Sequence, residues 1–172
     1  MSAQAKRSQM VNSEITDAVP VVLTHPKAIL PKQTAGDIGF DVHAVEYSTI
    51  PAGSTLCIKT GIRLADEMQH KGQHRGFLKT VAFLKVEGRS GLAARGIFPV
   101  GGIIDPSYRG DIGVVLHNSS HDHFNINEGD RIAQLVIYQA YATDDNCRTV
   151  FEEQIEQKKT ARGEKGFGSS GR

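Results

Sequence analysis

The stretch RIAQLVIYQAY at 131–141 reads as a β-strand. Ile132, Gln134 and Val136 alternate with Ala133, Leu135 and Ile137, the period-2 spacing that sends successive side chains to opposite faces of a sheet. Gln134 stands in an otherwise apolar run, so its amide must find a partner or forfeit roughly 1–3 kcal/mol to desolvation. A ligand phosphate or a neighbouring backbone would serve. Arg131 beside it is suited to bracing a carboxylate, with Asp41 as the candidate, and Gly129-Asp130 supplies the turn that precedes the strand.

Similar short runs recur along the chain: VVL at 21–23, TLCIKTGIRL at 55–64, FLKTVAFLKVE at 77–87 and DIGVVLHN at 111–118. Separated by glycine, proline and asparagine, they predict an all-β barrel or sandwich with very little helix. SGLAAR at 90–95 is the exception, a helical turn with Ser90 as N-cap and Gly96 as its stop. DEMQHKGQHRG at 66–76 is a polar excursion, expected to be a long hairpin loop. Residues 1–17 lack apolar periodicity and are expected to form a flexible arm, followed by a barrel domain over 18–150 and a C-terminal arm over 151–172.

The 172 residues fit one domain with a respectable core. Twenty Lys and Arg against nineteen Asp and Glu leave a formal charge of +1, which gives no electrostatic case for binding nucleic acid. Cys57 and Cys147 lack metal-ligand spacing and are expected to be buried small hydrophobes in a reducing compartment. No run is long and apolar enough to cross a bilayer, and no signal-peptide hydrophobic region opens the chain. The expectation is a soluble intracellular protein of cytoplasm or nucleus, with no membrane partner.

Four further clusters carry chemistry. In AGDIGFDVHA at 35–44, Asp37 and Asp41 flank a turn, and only Asp41 is expected to point into a site; an aspartate that merely closes its own turn is the alternative. In GRSGLA at 88–93, Arg89, Ser90 and Gly91 open the helical turn, whose free N–H groups suit an anion. VGGIIDPSYRGDIGVVLHN at 100–118 reads as a β-hairpin. Its Asp105 could deprotonate a water held within roughly 2.6–3.2 Å, Tyr108 could offer its ring to a sugar, and Gly102 and Gly113 would open main-chain groups to a flat ligand edge. Asp105-Pro106 is equally an ordinary type I turn opening. The tail RGEKGFGSSGR at 162–172 combines Arg162, Phe167, Gly168, Ser169 and Ser170, which suits a lid over a phosphate-bearing ligand as well as it suits a solvated linker.

In this order and spacing the five segments resemble the trimeric deoxyuridine triphosphatase (dUTPase) family over about residues 20–172. The resemblance implies a distorted jelly-roll-like β-barrel of the β-clip type, assembled as a homotrimer whose active sites collect segments from all three chains. It implies hydrolysis of dUTP to dUMP and pyrophosphate, limiting uracil in DNA and supplying dUMP for dTMP synthesis. Asp105 would activate the water attacking the α-phosphorus. Tyr108 would stack under the deoxyribose and exclude a 2′-hydroxyl, while main-chain groups of Gly102, Ile104 and Gly113 read the uracil edge. Arg89, Ser90, Gly91 and Gln134 would hold the phosphates, joined by Arg162, Gly168, Ser169 and Ser170, with Phe167 folding over the base. Asp41 would contact, through water, a Mg²⁺ ion held mainly by the substrate phosphates.

Some positions depart from the family pattern. Gly88 stands where many members have proline, Pro99 where some supply a carboxamide to uracil, and Ser170 where threonine is frequent. The related deoxycytidine triphosphate deaminases share much of GRSGLAARG and IIDPSYRG, but place a second serine at Gly91 and a catalytic glutamate at Val115. A retired, non-catalytic nucleotide binder is the other reading, opposed by the presence of both Asp105 and Phe167. Zinc binding by His70 and His74, or by HDH at 121–123, would lack third and fourth ligands nearby.

Overall fold

A computed structural model describes residues 19–65 and 80–141. The arms expected at 1–17 and 151–172, the 66–76 loop with His70 and His74, and Cys147 lie outside the described residues. Among the described residues, ten strands and one helical turn follow in order: β1 (Val21–Leu23), β2 (Phe40–His43), β3 (Ser48–Ile50), β4 (Thr55–Leu64), β5 (Thr80–Glu87), α1 (Ser90–Ala93), β6 (Ile97–Pro99), β7 (Ile103–Ile104), β8 (Asp111–Asn118), β9 (Phe124–Ile126) and β10 (Arg131–Tyr141). The all-β expectation holds. No helix among the described residues is long and apolar enough to cross a membrane.

Two four-stranded sheets, ordered β1-β4-β8-β6 and β2-β10-β5-β7, are joined by a two-stranded ribbon, β3-β9. Every paired strand is antiparallel. Alternation explains the packing: in β8, Ile112, Val114, Leu116 and Asn118 are buried while the residues between them face outward. They meet Ile58, Ile62 and Leu64 of β4, Leu84 and Val86 of β5, and Ile132 and Leu135 of β10 in a single apolar core. The buried Asn118 satisfies its amide on the carbonyls of Ile50 and Asp122, at 3.0 and 2.8 Å.

Both expected hairpins are corrected. β7 pairs with β5 and β8 with β4 and β6, so the two limbs around DPSYRGD belong to different sheets. Likewise the strands flanking 66–76, β4 and β5, lie in separate sheets. In each case the successive strands lie in different sheets instead of pairing as neighbours. A further irregularity sits in β10, where the register shifts between Arg131 and Ala133 against β2. That bulge buries Ile132 and Ala133 together and interrupts the alternation expected from the sequence.

Candidate active site

A cleft of about 790 Å³ is lined by Asp41, Arg89, Ser90, Gly91, Arg95, Arg131 and Gln134, together with Lys32, Asp37 and Glu87. Its floor is a row set by strand register, since Gln134 of β10 faces Asp41 of β2 on one side and Glu87 of β5 on the other. All three occupy outward positions, because their neighbours Val42, Val86 and Leu135 are buried in the core. Asp41 holds two guanidiniums at once: Arg131 Nη1 lies 3.2 Å from Oδ2 and Arg89 Nε 3.4 Å from Oδ1. The expected bracing by Arg131 is therefore present, beside the register shift in β10.

Gln134 donates to the Gly88 carbonyl at 3.0 Å, so its desolvation is offset by backbone. Its side chain lies over Gly39, where a Cβ would collide with the amide oxygen. A side chain at 39 would displace the Gln134 amide. Ser90 is not the N-cap. Arg89 holds that position with extended φ −101° and ψ 131°, and its carbonyl accepts the first helical bonds from Leu92 and Ala93 at 3.0 and 2.9 Å. The turn therefore begins one residue earlier than expected, and Ser90 is its first member instead of its cap. A Cβ on Gly91 would meet nothing within 4 Å, so its main chain borders open space in the cleft.

Asp37 lines this cleft alongside Asp41, correcting the expectation that only one of the pair would. Lys32 arrives through an isolated bridge to Asp41, whose N–H donates to the Lys32 carbonyl at 2.9 Å; no local sequence pattern signals it. Arg95 was also missed, and its guanidinium sits 4.5 Å from the centre of the Phe124 ring. Below the cleft, His43 Nδ1 is buried without a hydrogen-bond partner among the described residues. Burial pushes the His43 pKa below its ordinary value; Asp41 opposes that shift, while Arg131 and Arg89 reinforce it.

The second cleft, about 310 Å³, gathers Gly102, Ile104, Asp105, Tyr108 and Gly113, together with Cys57, Asp111 and Val115. Gly102 has φ +108° and a Cβ there would come within 2.9 Å of Val86 Cβ, so both backbone and space demand glycine. The turn reading of Asp105-Pro106 also holds, because Tyr108 N donates to the Asp105 carbonyl at 3.0 Å. The turn leaves Asp105 exposed. Cys57 is exposed rather than buried, since it sits on an outward position of β4; a Cβ at Gly113 would run into its sulfur. Asp111 accepts from Thr24 Oγ1 at 3.0 Å and Arg63 Nη2 at 3.0 Å, and these bonds hold its carboxyl below the usual range, Thr24 contributing most.

The described candidates therefore fall into two sets. Arg89, Ser90, Gly91, Gln134 and Asp41 share one cleft, and Gly102, Ile104, Asp105, Tyr108 and Gly113 the other, with no lining residue in common. Arg162, Phe167, Gly168, Ser169 and Ser170 lie outside the described residues. Among the described residues, no group of three or more His, Cys, Asp and Glu side chains is arranged to hold a metal ion.

Comparison with known proteins bears on both sets. Residues 25–171 match the family model described as dUTPase. The deoxyuridine 5′-triphosphate nucleotidohydrolase of vaccinia virus is 36% identical over 163 residues, covering 94% of this chain and 99% of that protein. Its namesake from Candida albicans is 36% identical over 174 residues, covering 100% of this chain and 99% of the relative. Among solved structures, a mutant of the phage 80alpha dUTPase aligns with a TM-score of 0.69 at 23% identity, covering 91% of this chain and 100% of that one.

Proposed function

The chain belongs to the dUTPase family, and from that premise we propose that it hydrolyses dUTP to dUMP and pyrophosphate at a site assembled from both clefts. The observation that carries this reading is their division of labour: in the arginine-rich cleft Asp41 is already ion-paired with Arg89 and Arg131, and the cleft with the exposed Asp105 is lined by none of the arginines. Each is half a site. A homotrimer in which one copy's arginine cleft meets another's Asp105 cleft would complete it.

In this mechanism Arg89 and Arg131 have their guanidiniums pre-aligned by Asp41, so little side-chain entropy is lost when a triphosphate binds. Ser90, the Gly91 main chain and Gln134 add neutral donors. Main-chain groups of Gly102, Ile104 and Gly113 read the uracil edge, and Tyr108 covers the deoxyribose. Asp105 takes a proton from water as its oxygen attacks the α-phosphorus. The bond from that phosphorus to the bridging oxygen breaks, and pyrophosphate leaves. Arg162, Phe167, Gly168, Ser169 and Ser170 close over the bound nucleotide.

The donor set fits Mg²⁺ carried by the substrate. Both Asp41 oxygens are ion-paired with arginine, which suits contact through a water and not direct ligation. When bound, Mg²⁺ would neutralise charge on the triphosphate. Val115, an apolar side chain, lines the nucleoside cleft where a deaminase would need a carboxylate, so no deaminase reading is carried further.

Pyrophosphate release from dUTP, dCTP, dTTP and UTP with Mg²⁺ tests the proposal. Selective conversion of dUTP to dUMP is expected. Uracil products from dCTP, or silence on all four, would sink it.

A further inference from the structure

Gly110 follows Tyr108 by two residues and has no conformational reason to be glycine. Its backbone lies outside the left-handed region that favours glycine elsewhere in this chain. Space is what excludes a side chain there. A Cβ at 110 would stand 2.5 Å from Tyr108 Cζ and 3.0 Å from Cε2, and would collide with the hydroxyl oxygen. The tyrosine ring therefore lies down on the Gly110 main chain.

The rest of the loop is tied. Arg109 Nη1 donates to the carbonyls of Pro106 and Tyr108 at 2.7 and 3.0 Å, and Tyr108 N closes the turn on Asp105. The Tyr108 hydroxyl donates to the Asp111 carbonyl at 3.2 Å. Asp111 is itself anchored across the sheet by Thr24 and Arg63. With the backbone fixed at both ends, the bare main chain of Gly110 sets how low the ring can lie.

We propose that Gly110 is a positioning residue for sugar specificity: by carrying no side chain it lets Tyr108 lie flat, and the resulting ring height leaves space for a 2′-deoxyribose but none for a 2′-hydroxyl. The proposal rests on the reading that this cleft takes the sugar of dUTP. It assigns to Gly110 a role in discrimination and none in the chemical step.

The test is Gly110→Ala, in which the obstruction is the far end of a movable side chain, so the fold is kept and the ring shifts. The preference for dUTP over UTP, as a ratio of kcat/KM values, is expected to fall by about tenfold, the scale of one misplaced contact. The preference for dUTP over dCTP stays as it was, because the base-reading main chain is untouched. An unchanged dUTP to UTP ratio would overturn the proposal, as would an equal loss of base and sugar preference. Against a Tyr108→Ala background the same substitution should change the sugar ratio no further; an additional loss would mean that Gly110 acts by another route. A crystal structure of Gly110→Ala reads the ring without reference to turnover. Displacement is expected whatever the protein hydrolyses, and a ring in its present position refutes the inference, whereas an unaltered protein without dUTP preference would sink the functional reading alone.

Discussion

The two clefts reach order by different routes. In the arginine cleft, position comes from the sheet: Asp41, Gln134 and Glu87 stand in one row across β2, β10 and β5, and Asp41 aligns two guanidiniums above it. In the other, position comes from a turn between sheets, with Asp105 exposed at its start and Tyr108 resting on Gly110. Binding many phosphate oxygens calls for several charges fixed relative to one another, which a ladder provides. Activating one water calls for a single carboxylate at the correct spot, and a short tied turn is enough for that. Loss of a residue from the first should weaken grip, and loss from the second should stop chemistry.

The sharpest separation is expected from Asp105→Asn, with kcat reduced by about 10²- to 10⁴-fold while titration with a non-hydrolysable dUTP analogue shows nearly unchanged affinity. Comparable loss of affinity would erase the distinction between the clefts. Arg89→Ala should do the reverse, raising KM by roughly 10- to 100-fold, as expected for a charged hydrogen-bonding group; steady-state kinetics over a wide dUTP range would reveal a pure kcat effect if grip is not its role. When these two impaired variants are unfolded and refolded together, activity should exceed that of either alone, because some sites then combine an intact arginine cleft with an intact Asp105. A mixture as inactive as its parents would mean that each site draws both clefts from one chain.

The smallest effect concerns His43 beneath the arginine cleft. Its folded pKa is depressed, so between that value and the unfolded value of about 6.5 the unfolded chain binds more protons. Stability is fully present above about pH 6.5 and declines as pH falls below it. His43→Asn should flatten that decline in thermal unfolding measured from pH 7.5 to 5; an equally steep slope would remove His43 as its source.

Strand positions were legible because alternation is local. The runs at 55–64 and 111–118 became β4 and β8 over those same residues. Which strands pair was not legible, since DPSYRGD has turn chemistry whether its limbs share a sheet or not. Local patterns also identified the candidates in both clefts, yet they gave no sign of the gap between them. Lys32 escaped for the opposite reason, because a single bridge to Asp41 brings its segment alongside β2. Cys57 was misjudged because cysteine is commonly buried, whereas its side of β4 faces a cleft.

β5 contributes to both clefts. Val86 lines one and Glu87 the other. Were this strand to pair one residue out of register, every side chain on it would exchange faces, driving the Glu87 carboxylate into the apolar core and turning Val86 outward. Such a chain would lose both clefts in one step and bear the cost of an unpaired buried charge. The two half-sites therefore depend on one register, and an error in the pairing of β5 would cost stability and both clefts together.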